Sequence, residues 1–301
     1  MSGEFAFISW LRERTPGGPR VIVGPGDDTA VLVGSIKPQL ITVDMLMDGT
    51  DFILDEVGGR AAGRKAMAVN LSDIAAMAGV PHSAVVSVAL PKAGGRELAE
   101  QLHLGLCDMA DAFGVSLVGG DTNSWDHPLA ISITLLGEAT ERGPVLRSGA
   151  KPGDWLLVTG PLGGSLLGKH LTFTPRVREA LELHEAAPIH AMIDISDGLA
   201  ADLQHILDES GCGANLDEAS IPISNDAVKR SRVTGKTPLQ HALGDGEDFE
   251  LILAVDPADG SKLLHSFPWL KKIGECVERG LWLNDSPLEP SGWVHDWEAK
   301  R

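Results

Sequence analysis

The chain has 301 residues, of which 43% are hydrophobic and 22% charged, the composition of an ordinary soluble globular protein long enough for two domains. Its 42 acidic residues outnumber its 25 basic residues and leave a net charge of −17. Because such a surface repels nucleic-acid phosphates and anionic lipids, we expect neither nucleic acid nor a membrane among its partners.

The first half of the chain alternates apolar, strand-like runs with helical patterns. In chain order the predicted elements are a short helix at 4–14, strands at 21–23 and 40–44, a helix at 56–78 interrupted near 70–73, a strand at 85–90, a helix at 95–113, and strands at 116–118 and 129–138. Turn residues, Gly143 and Pro144 among them, then punctuate 140–153. We therefore divide the chain into two domains at this point, 1–142 and 143–301.

The second half begins with a predicted strand and continues as a mixture of helices and strands. The predicted elements are a strand at 155–159, a glycine-rich turn at 160–168, a helical stretch to about 187, a strand ending at Asp194, an amphipathic helix from Leu199 and a strand at 250–255. The last thirty residues are short apolar pieces separated by turns. We expect a mixed α/β protein.

The three cysteines, Cys107, Cys212 and Cys276, lie far apart and form no Cys-x-x-Cys pair, which is typical of reduced thiols in a cytosolic protein. No apolar run approaches the ~20 residues of a membrane span. Residues 1–5 lack the basic start and apolar core of a signal peptide. The sequence thus predicts a cytoplasmic protein.

The segment Asp194-Ile195-Ser196-Asp197-Gly198 stands between an apolar strand end and an amphipathic helix. Junctions of this kind are where α/β proteins place ligands. Two carboxylates held so close repel each other unless a cation neutralises them or one keeps a proton. The pattern therefore predicts a metal site.

Acids after apolar runs recur along the chain, and two further acids accompany them. The candidate carboxylates are Asp28, Asp44, Asp73, Asp121, Asp194 and Asp197. Mg²⁺ prefers carboxylate oxygen and keeps waters and substrate phosphate, so the set suits a nucleoside triphosphate carried by more than one Mg²⁺. One Asp after a strand is more often a turn residue or a helix N-cap, a role that Asp197 also fits. Their number, with glycine neighbours that let backbone approach phosphate, favours the joint interpretation.

The standard phosphate and metal motifs do not account for the chain. Gly163 to Lys169 has the spacing G-x-x-x-x-G-K, but His170 stands where Ser or Thr would hold Mg²⁺, so we interpret it as a false phosphate loop. No G-x-G-x-x-G follows a strand, the protein-kinase motifs are absent, and the histidines show no zinc spacing. No covalent nucleophile is indicated. An enzyme of this sequence would work by placing metals and phosphates.

A series of motifs spread over about residues 4–255 resembles the thiamine-monophosphate kinase family of the aminoimidazole-ribonucleotide synthetase-like superfamily. The Asn-Leu-Ser-Asp and Asp-x-Ser-Asp-Gly elements together are highly specific. The motifs are Gly26-Asp27-Asp28, Asn70-Leu71-Ser72-Asp73, Gly119-Gly120-Asp121-Thr122, Arg147-Ser148-Gly149-Ala150, Asp194-Ile195-Ser196-Asp197-Gly198 and Gly246-Glu247-Asp248-Phe249-Glu250-Leu251.

The resemblance implies an α+β (mixed α/β), two-domain fold of the aminoimidazole-ribonucleotide synthetase type. Its N-terminal domain would bind ATP and Mg²⁺ and pair with its twin in a homodimer, forming a shared barrel. An α/β C-terminal domain would complete an active site in the cleft between the two. The implied reaction is Mg²⁺-assisted transfer of the ATP γ-phosphoryl group to thiamine monophosphate, giving thiamine diphosphate.

The resemblance also implies roles for individual residues. Several Mg²⁺ ions would be held by Asp28, Thr42, Asp44, Asp73, Asp121, Asp194 and Asp197, ATP by Gly120, Asp121, Arg147 and Ser196, and the substrate by Asp51, Glu247 and Trp297. Asp51 departs from the family, which commonly has His there, and it adds negative charge where a monophosphate would approach. A paralogue acting on another small phosphorylated or purine-precursor substrate, or a non-catalytic nucleotide- or metal-binding protein, is the alternative.

Overall fold

The computed structural model describes residues 3–15, 17–24 and 29–293. Packing divides the chain into two units. The first contains the chain up to Ile74 together with Gly79–Gly143, and the second contains Ala75–Ala78 together with the chain from Pro144. Of the helices described, none is long and apolar enough to cross a membrane.

The first unit is built on a four-stranded sheet in the order β3-β6-β4-β5, with β1 and β2 as a separate antiparallel pair. Its helices are α1 (Gly3–Arg14), α2 (Leu54–Ala76) and α3 (Gly95–Ala112), and its strands are β1 (Val21–Val23), β2 (Val31–Leu32), β3 (Gln39–Met47), β4 (Val80–Pro91), β5 (Ser116–Trp125) and β6 (Ala130–Glu138). Parallel pairing of β4 with β5 requires a crossover connection, which α3 supplies.

Two predicted strand ends are wrong, and so is the predicted helix interruption. Asp44 lies in the middle of β3, and Asp121 in the middle of β5, because both strands continue their pairing past these acids. The helix α2 runs unbroken through residues 70–73, and its one non-helical residue is Gly58. Cross-strand hydrogen bonds, which a local apolar pattern does not encode, determine where these strands end.

The second unit is built on a seven-stranded sheet in the order β13-β12-β9-β11-β7-β10-β8. The strands are β7 (Trp155–Val158), β8 (Ala191–Asp194), β9 (Gly213–Leu216), β10 (Leu251–Val255), β11 (Lys271–Val277), β12 (Leu281–Leu283) and β13 (Ser286–Pro287). The helices are α4 (Lys169–Thr172), α5 (Val177–Ala186), α6 (Leu199–Ser210), α7 (Asn225–Thr234), α8 (Pro238–Gly244) and α9 (Pro257–Ser266), with short 3₁₀ turns at Ser165–Leu167 and Glu218–Ser220.

The core of the second unit is formed by its central strands and the inner face of α6. All five residues of β10 and all four of β8 are buried. Leu199, Leu203 and Ile206 of α6 are fully buried against this sheet, as their helical spacing predicts. The helix therefore holds its N-terminal end, directly after the Asp194–Gly198 junction, in a fixed position. The prediction of a mixed α/β fold is confirmed.

Candidate active site

The Asp194–Gly198 junction lies beside the Gly246–Glu250 segment in the second unit. Asp194 ends β8 opposite Leu251, with 5% of its surface exposed. Beyond the strands the two segments stay paired, because the N–H of Phe249 donates to the carbonyl of Ile195 at 2.8 Å and the N–H of Glu247 donates to that of Ser196 at 2.6 Å. The structure thus brings together the predicted residues Asp194, Ser196 and Glu247.

The Gly246–Glu250 segment is held in a strained backbone conformation. Glu247 and Phe249 have φ values of 54° and 50°, in the left-handed region that side chains with a Cβ seldom adopt. Two contacts besides the junction hydrogen bonds support it. The hydroxyl of Ser165 donates to the carbonyl of Gly246 at 2.5 Å, and the Phe249 ring stacks on Phe173 with centroids 4.2 Å apart. Strain that surrounding structure maintains in this way is a common feature of functional sites.

The glycine-rich turn at 160–168 has its backbone donors occupied by carboxylates of this chain. The N–H of Gly163 donates to both oxygens of Asp248, at 2.8 and 3.0 Å, and the N–H of Gly164 donates to Asp245 at 3.0 Å. Asp248 is fully buried. These amides therefore bind carboxyl groups of this chain, which agrees with the interpretation of the turn as a false phosphate loop.

A buried ion-pair network surrounds the end of the same segment. Glu250, which is 1% exposed, accepts two hydrogen bonds from the Arg176 guanidinium, at 2.8 and 2.9 Å. Lys169 and Thr159 donate to it at 2.8 and 2.7 Å. Burial acts to raise the pKa of Glu250, but the hydrogen bonds from Arg176 and the charge of Lys169 outweigh it and lower that pKa. Glu250 is thus a charged anchor under the strained segment.

Asp202 is a member of the junction that sequence reasoning missed. It lies one turn into α6 with 2% of its surface exposed, and its Oδ2 accepts from the N–H groups of Asp197 and Gly198, each at 3.0 Å. Burial, followed by the negative charges of Asp194 and Asp197, raises the pKa of Asp202 to about 7. Its spacing four residues after Gly198, within reach of the helix start, was the available signal.

In the first unit, two predicted ligands lie along one face of β3, and a third lies on α2 in contact with one of them. Thr42 and Asp44 alternate with exposed residues and are both half-buried. The Thr42 hydroxyl donates to the carboxylate of Asp73, which lies on α2. The structure thus joins two predicted oxygen ligands, Thr42 and Asp73, by a direct hydrogen bond.

The predicted nucleotide residues Gly120 and Asp121 lie in the middle of β5 and are exposed. Gly120 also has a packing role, because a Cβ at this position would lie 2.1 Å from the carbonyl oxygen of Val86 on the paired strand. The close approach of the two strands is therefore sufficient to require glycine here, whatever its part in binding.

Asp51 closes the turn that follows β3. Its Oδ2 accepts from the N–H of Met47 at 2.7 Å, and its own N–H donates to the Met47 carbonyl at 3.0 Å. The buried ammonium of Lys65 donates to the Asp51 carbonyl at 2.6 Å. This carboxylate is therefore engaged in local structure, and its contact with substrate stays a prediction.

Arg147 lies apart from the junction residues within the second unit. Its carbonyl accepts from the hydroxyl of Ser210, the last residue of α6, at 3.2 Å. A helix of this length spans about 18 Å, so the backbone of Arg147 is at the far end of α6 from Asp197. No contact described here joins the exposed Arg147 to Ser196, and its role with ATP stays a prediction.

Two predicted site residues, Asp28 and Trp297, lie outside the described residues. A different aromatic residue reaches the junction. The N–H of Trp293 donates to the carbonyl of Asp197 at 2.9 Å, and 56% of this residue is exposed.

The donor chemistry of the predicted metal ligands suits Mg²⁺, since all are carboxylate or hydroxyl oxygens. Over residues 3–15, 17–24 and 29–293, however, no three His, Cys, Asp or Glu side chains are grouped closely enough to hold a metal ion. Negative charge is concentrated at the junction, since the charges of Asp194 and Asp197 both act to raise the pKa of Asp202. The junction therefore fits a cation electrostatically, and the ligand set itself stays a prediction.

Comparison with known proteins gives matches over most of the chain. The AIR synthase related protein family matches through its N-terminal domain at residues 26–139 and its C-terminal domain at 151–280. A thiamine-monophosphate kinase of Rhodopirellula baltica is 44% identical over 309 residues, covering 97% of each chain.

Solved structures agree with these matches. The crystal structure of thiamine-monophosphate kinase from Stenotrophomonas maltophilia has a TM-score of 0.82 at 30% identity and covers 95% of this chain and 98% of that one. The structure of AaThiL complexed with AMPPCP and TMP has a TM-score of 0.79 at 29% identity, with 98% of this chain and 97% of that one covered.

Proposed function

This chain belongs to the thiamine-monophosphate kinase family of AIR synthase related proteins, and from that membership we propose that it transfers the γ-phosphoryl group of ATP to thiamine monophosphate, giving thiamine diphosphate. The observation that carries the proposal is the 44% identity to a thiamine-monophosphate kinase across 97% of both chains. A related protein solved with AMPPCP and TMP supports the same pair of ligands.

The chemistry of the reaction explains why acids outnumber bases in the predicted site. An acceptor phosphate oxygen is already a nucleophile, so catalysis consists mainly of aligning donor and acceptor and neutralising their charges. Bound Mg²⁺ would supply that neutralisation. We propose that six carboxylates hold it, with the hydroxyl of Thr42 as a further oxygen ligand. The proposed carboxylates are Asp28, Asp44, Asp73, Asp121, Asp194 and Asp197.

We propose that the two reactants bind at the paired segments of the second unit. Ser196 would contact the nucleotide, and Glu247, whose N–H binds the Ser196 carbonyl, would contact the thiamine end. A carboxylate near the cationic thiazolium ring of thiamine is electrostatically favourable. The ion-pair network at Glu250 would hold the Glu247 backbone in place while the charges of the reactants change.

We also propose a homodimer formed through the outer face of β3. This face presents Ile41, Val43 and Met45 to solvent, with 68%, 62% and 64% of each residue exposed. In the antiparallel pairing with β6 the same face continues through Leu136 and Thr134. Contiguous apolar surface of this kind on a sheet marks a protein interface more often than a solvated surface.

The test is conversion of thiamine monophosphate to the diphosphate by the purified protein with ATP and Mg²⁺, followed by chromatography of both thiamine species. Thiamine, which lacks the acceptor phosphate, is the control substrate. Formation of ADP and thiamine diphosphate in equal amounts is expected. ADP formed only with another phosphorylated acceptor would instead indicate a paralogue with a different substrate, and nucleotide binding without turnover would indicate a non-catalytic protein.

A further inference from the structure

The side chain of Asp202 is hydrogen-bonded to the backbone of the Asp194–Gly198 junction. A single oxygen, Oδ2, accepts from the N–H groups of Asp197 and Gly198, each at 3.0 Å. The N–H of Asp202 in turn donates to the Gly198 carbonyl at 2.9 Å. One buried side chain therefore binds the N–H side of two consecutive peptide units, whose carbonyls accept from the N–H groups of Glu247 and Trp293.

Gly198 makes this support necessary. Its φ of 126° and ψ of 148° are accessible to glycine but strained for other residues. A Cβ there would lie 2.9 Å from the Cα of Gly244 and 3.1 Å from the Leu243 carbonyl. Glycine also loses the most conformational freedom on folding, so hydrogen bonds on both sides of this residue help to keep the junction in one conformation.

The two functions of the Asp202 carboxylate, accepting hydrogen bonds and carrying charge, can be separated experimentally. An asparagine has a similar shape, and its amide oxygen can accept both N–H groups without a negative charge. A leucine side chain fills a similar volume but cannot accept a hydrogen bond. An alanine side chain cannot accept one either, and it is smaller than the aspartate that it replaces. Backbone N–H groups left without an acceptor in a buried position are unfavourable and free the segment to move.

We propose that Asp202 is a positioning residue for nucleotide binding: by accepting from the Asp197 and Gly198 amides, its carboxylate fixes the directions in which the Asp197 side chain and Ser196 point. The inference rests on the proposed function, in which these two residues face Mg²⁺ and ATP. Asp202 acts through this pair of hydrogen bonds and not through its charge.

The experiment compares Asp202→Asn, Asp202→Leu and Asp202→Ala with the same three changes at Asp208, an exposed residue of the same helix. The first readout is hydrogen exchange of residues 194–198 in the ligand-free protein, which needs no activity. The second is the Kd for AMPPCP in the presence of Mg²⁺. The third is a comparison of the changes in KM for ATP and in kcat, measured with thiamine monophosphate as the phosphate acceptor.

The leucine and alanine variants are expected to exchange the Asp197 and Gly198 amides at least about tenfold faster. We expect them to bind Mg·AMPPCP at least about tenfold more weakly, with the asparagine variant within about threefold of wild type.

Wild-type exchange and binding in a folded leucine or alanine variant would overturn the proposal. An asparagine variant as impaired as the leucine variant would overturn it too, by assigning the effect to charge. Absence of thiamine monophosphate phosphorylation would contradict only the proposed function, since hydrogen exchange and AMPPCP binding are measured without that substrate.

Discussion

The backbone N–H of Glu247 donates a 2.6 Å hydrogen bond to the carbonyl of Ser196. This contact joins the residue expected at the thiamine end to the residue expected at the nucleotide. Phosphoryl transfer requires the acceptor oxygen and the γ-phosphorus to be aligned within a fraction of an ångström. A direct backbone link between the two binding segments would keep that alignment when either ligand moves.

Replacing the Glu247 carboxylate with an amide is expected to affect the acceptor and not the nucleotide. Glu247→Gln keeps the size of the side chain and the hydrogen bond from its backbone N–H to Ser196. Steady-state kinetics should show a KM for thiamine monophosphate raised about tenfold, as loss of one charge–charge contact would give. The Kd for Mg·AMPPCP should stay within about twofold. Glu209→Gln, at an exposed position of α6, is the matched control, and an equal loss of nucleotide affinity in Glu247→Gln would contradict the assignment.

Asp194→Asn tests the proposed metal ligand of the junction. The amide preserves shape but removes the charge that would attract Mg²⁺, so calorimetry should show Mg·ATP binding weakened by at least about tenfold. The buried side chain sits among two other acids, so removing its charge should leave the thermal midpoint unchanged or raised. Undiminished Mg·ATP affinity would show that Asp194 is a structural acid.

The sequence indicates which acids are candidates for the site but not their geometry. Asp44 and Asp121 look like strand ends because each comes after an apolar run, yet pairing with neighbouring strands continues past both residues. That pairing is between residues far apart in sequence, which a local pattern cannot contain. Asp202 was missed for a related reason: the donors to its carboxylate are backbone amides, so its spacing from the helix start was the one signal in the sequence.

The motifs that carry the resemblance were predicted more reliably than their neighbours. The Asp194–Gly198 junction forms between a buried strand and an amphipathic helix, as its apolar spacing predicts. The departure at Asp51 has a local structural reason, because its carboxylate accepts from the Met47 N–H in the turn after β3. A substitution that seemed to concern substrate choice thus also satisfies the backbone.

The Arg176–Glu250 pair is expected to be the most important ion pair for the stability of the second unit. Arg176→Met leaves the carboxylate of Glu250, 1% exposed, with only Lys169 as a cationic neighbour among its described hydrogen-bond partners. Breaking a buried pair of this kind destabilises by roughly 3 kcal/mol, which urea denaturation would measure. The exposed pair of Lys262 and Asp259 gives the control, since Lys262→Met should change stability by less than about 1 kcal/mol. Equal effects of the two substitutions would contradict this ranking.

The outer face of β3 gives a test of the proposed homodimer. Val43→Asp places a charge in the middle of the apolar surface, where desolvation on association would be strongly unfavourable. Sedimentation equilibrium should show a dimeric wild type and a largely monomeric variant. Val233→Asp, at a residue of α7 that is 85% exposed, should leave the wild-type mass unchanged. A monomeric wild type, or a variant that remains dimeric, would argue against this face as the interface.

The buried carboxyl of Asp248 predicts a specific dependence of stability on pH. Burial raises its pKa to about 7, against the lowering effects of the Lys169 charge and the Gly163 N–H and with further raising by Glu250 and Asp245. An unfolded Asp has a pKa near ~3.9. Between these values the folded protein holds a proton that the unfolded chain has released, so this group makes stability fall as pH rises from about 4 to about 7.

Asp248→Asn removes that titration and keeps an acceptor for the Gly163 N–H, so its thermal midpoint relative to wild type should rise between about pH 5 and about pH 8. Near pH 5 the wild-type carboxyl is protonated and resembles the amide, and near pH 8 it is a buried charge that the variant lacks. The other titrating groups are common to both proteins, so their effects cancel in the difference. Differential scanning calorimetry across this range measures it. A difference that is flat or that falls with pH would show that Lys169 already keeps Asp248 ionised in the folded state, so that the Gly163 N–H donates to a charged carboxylate.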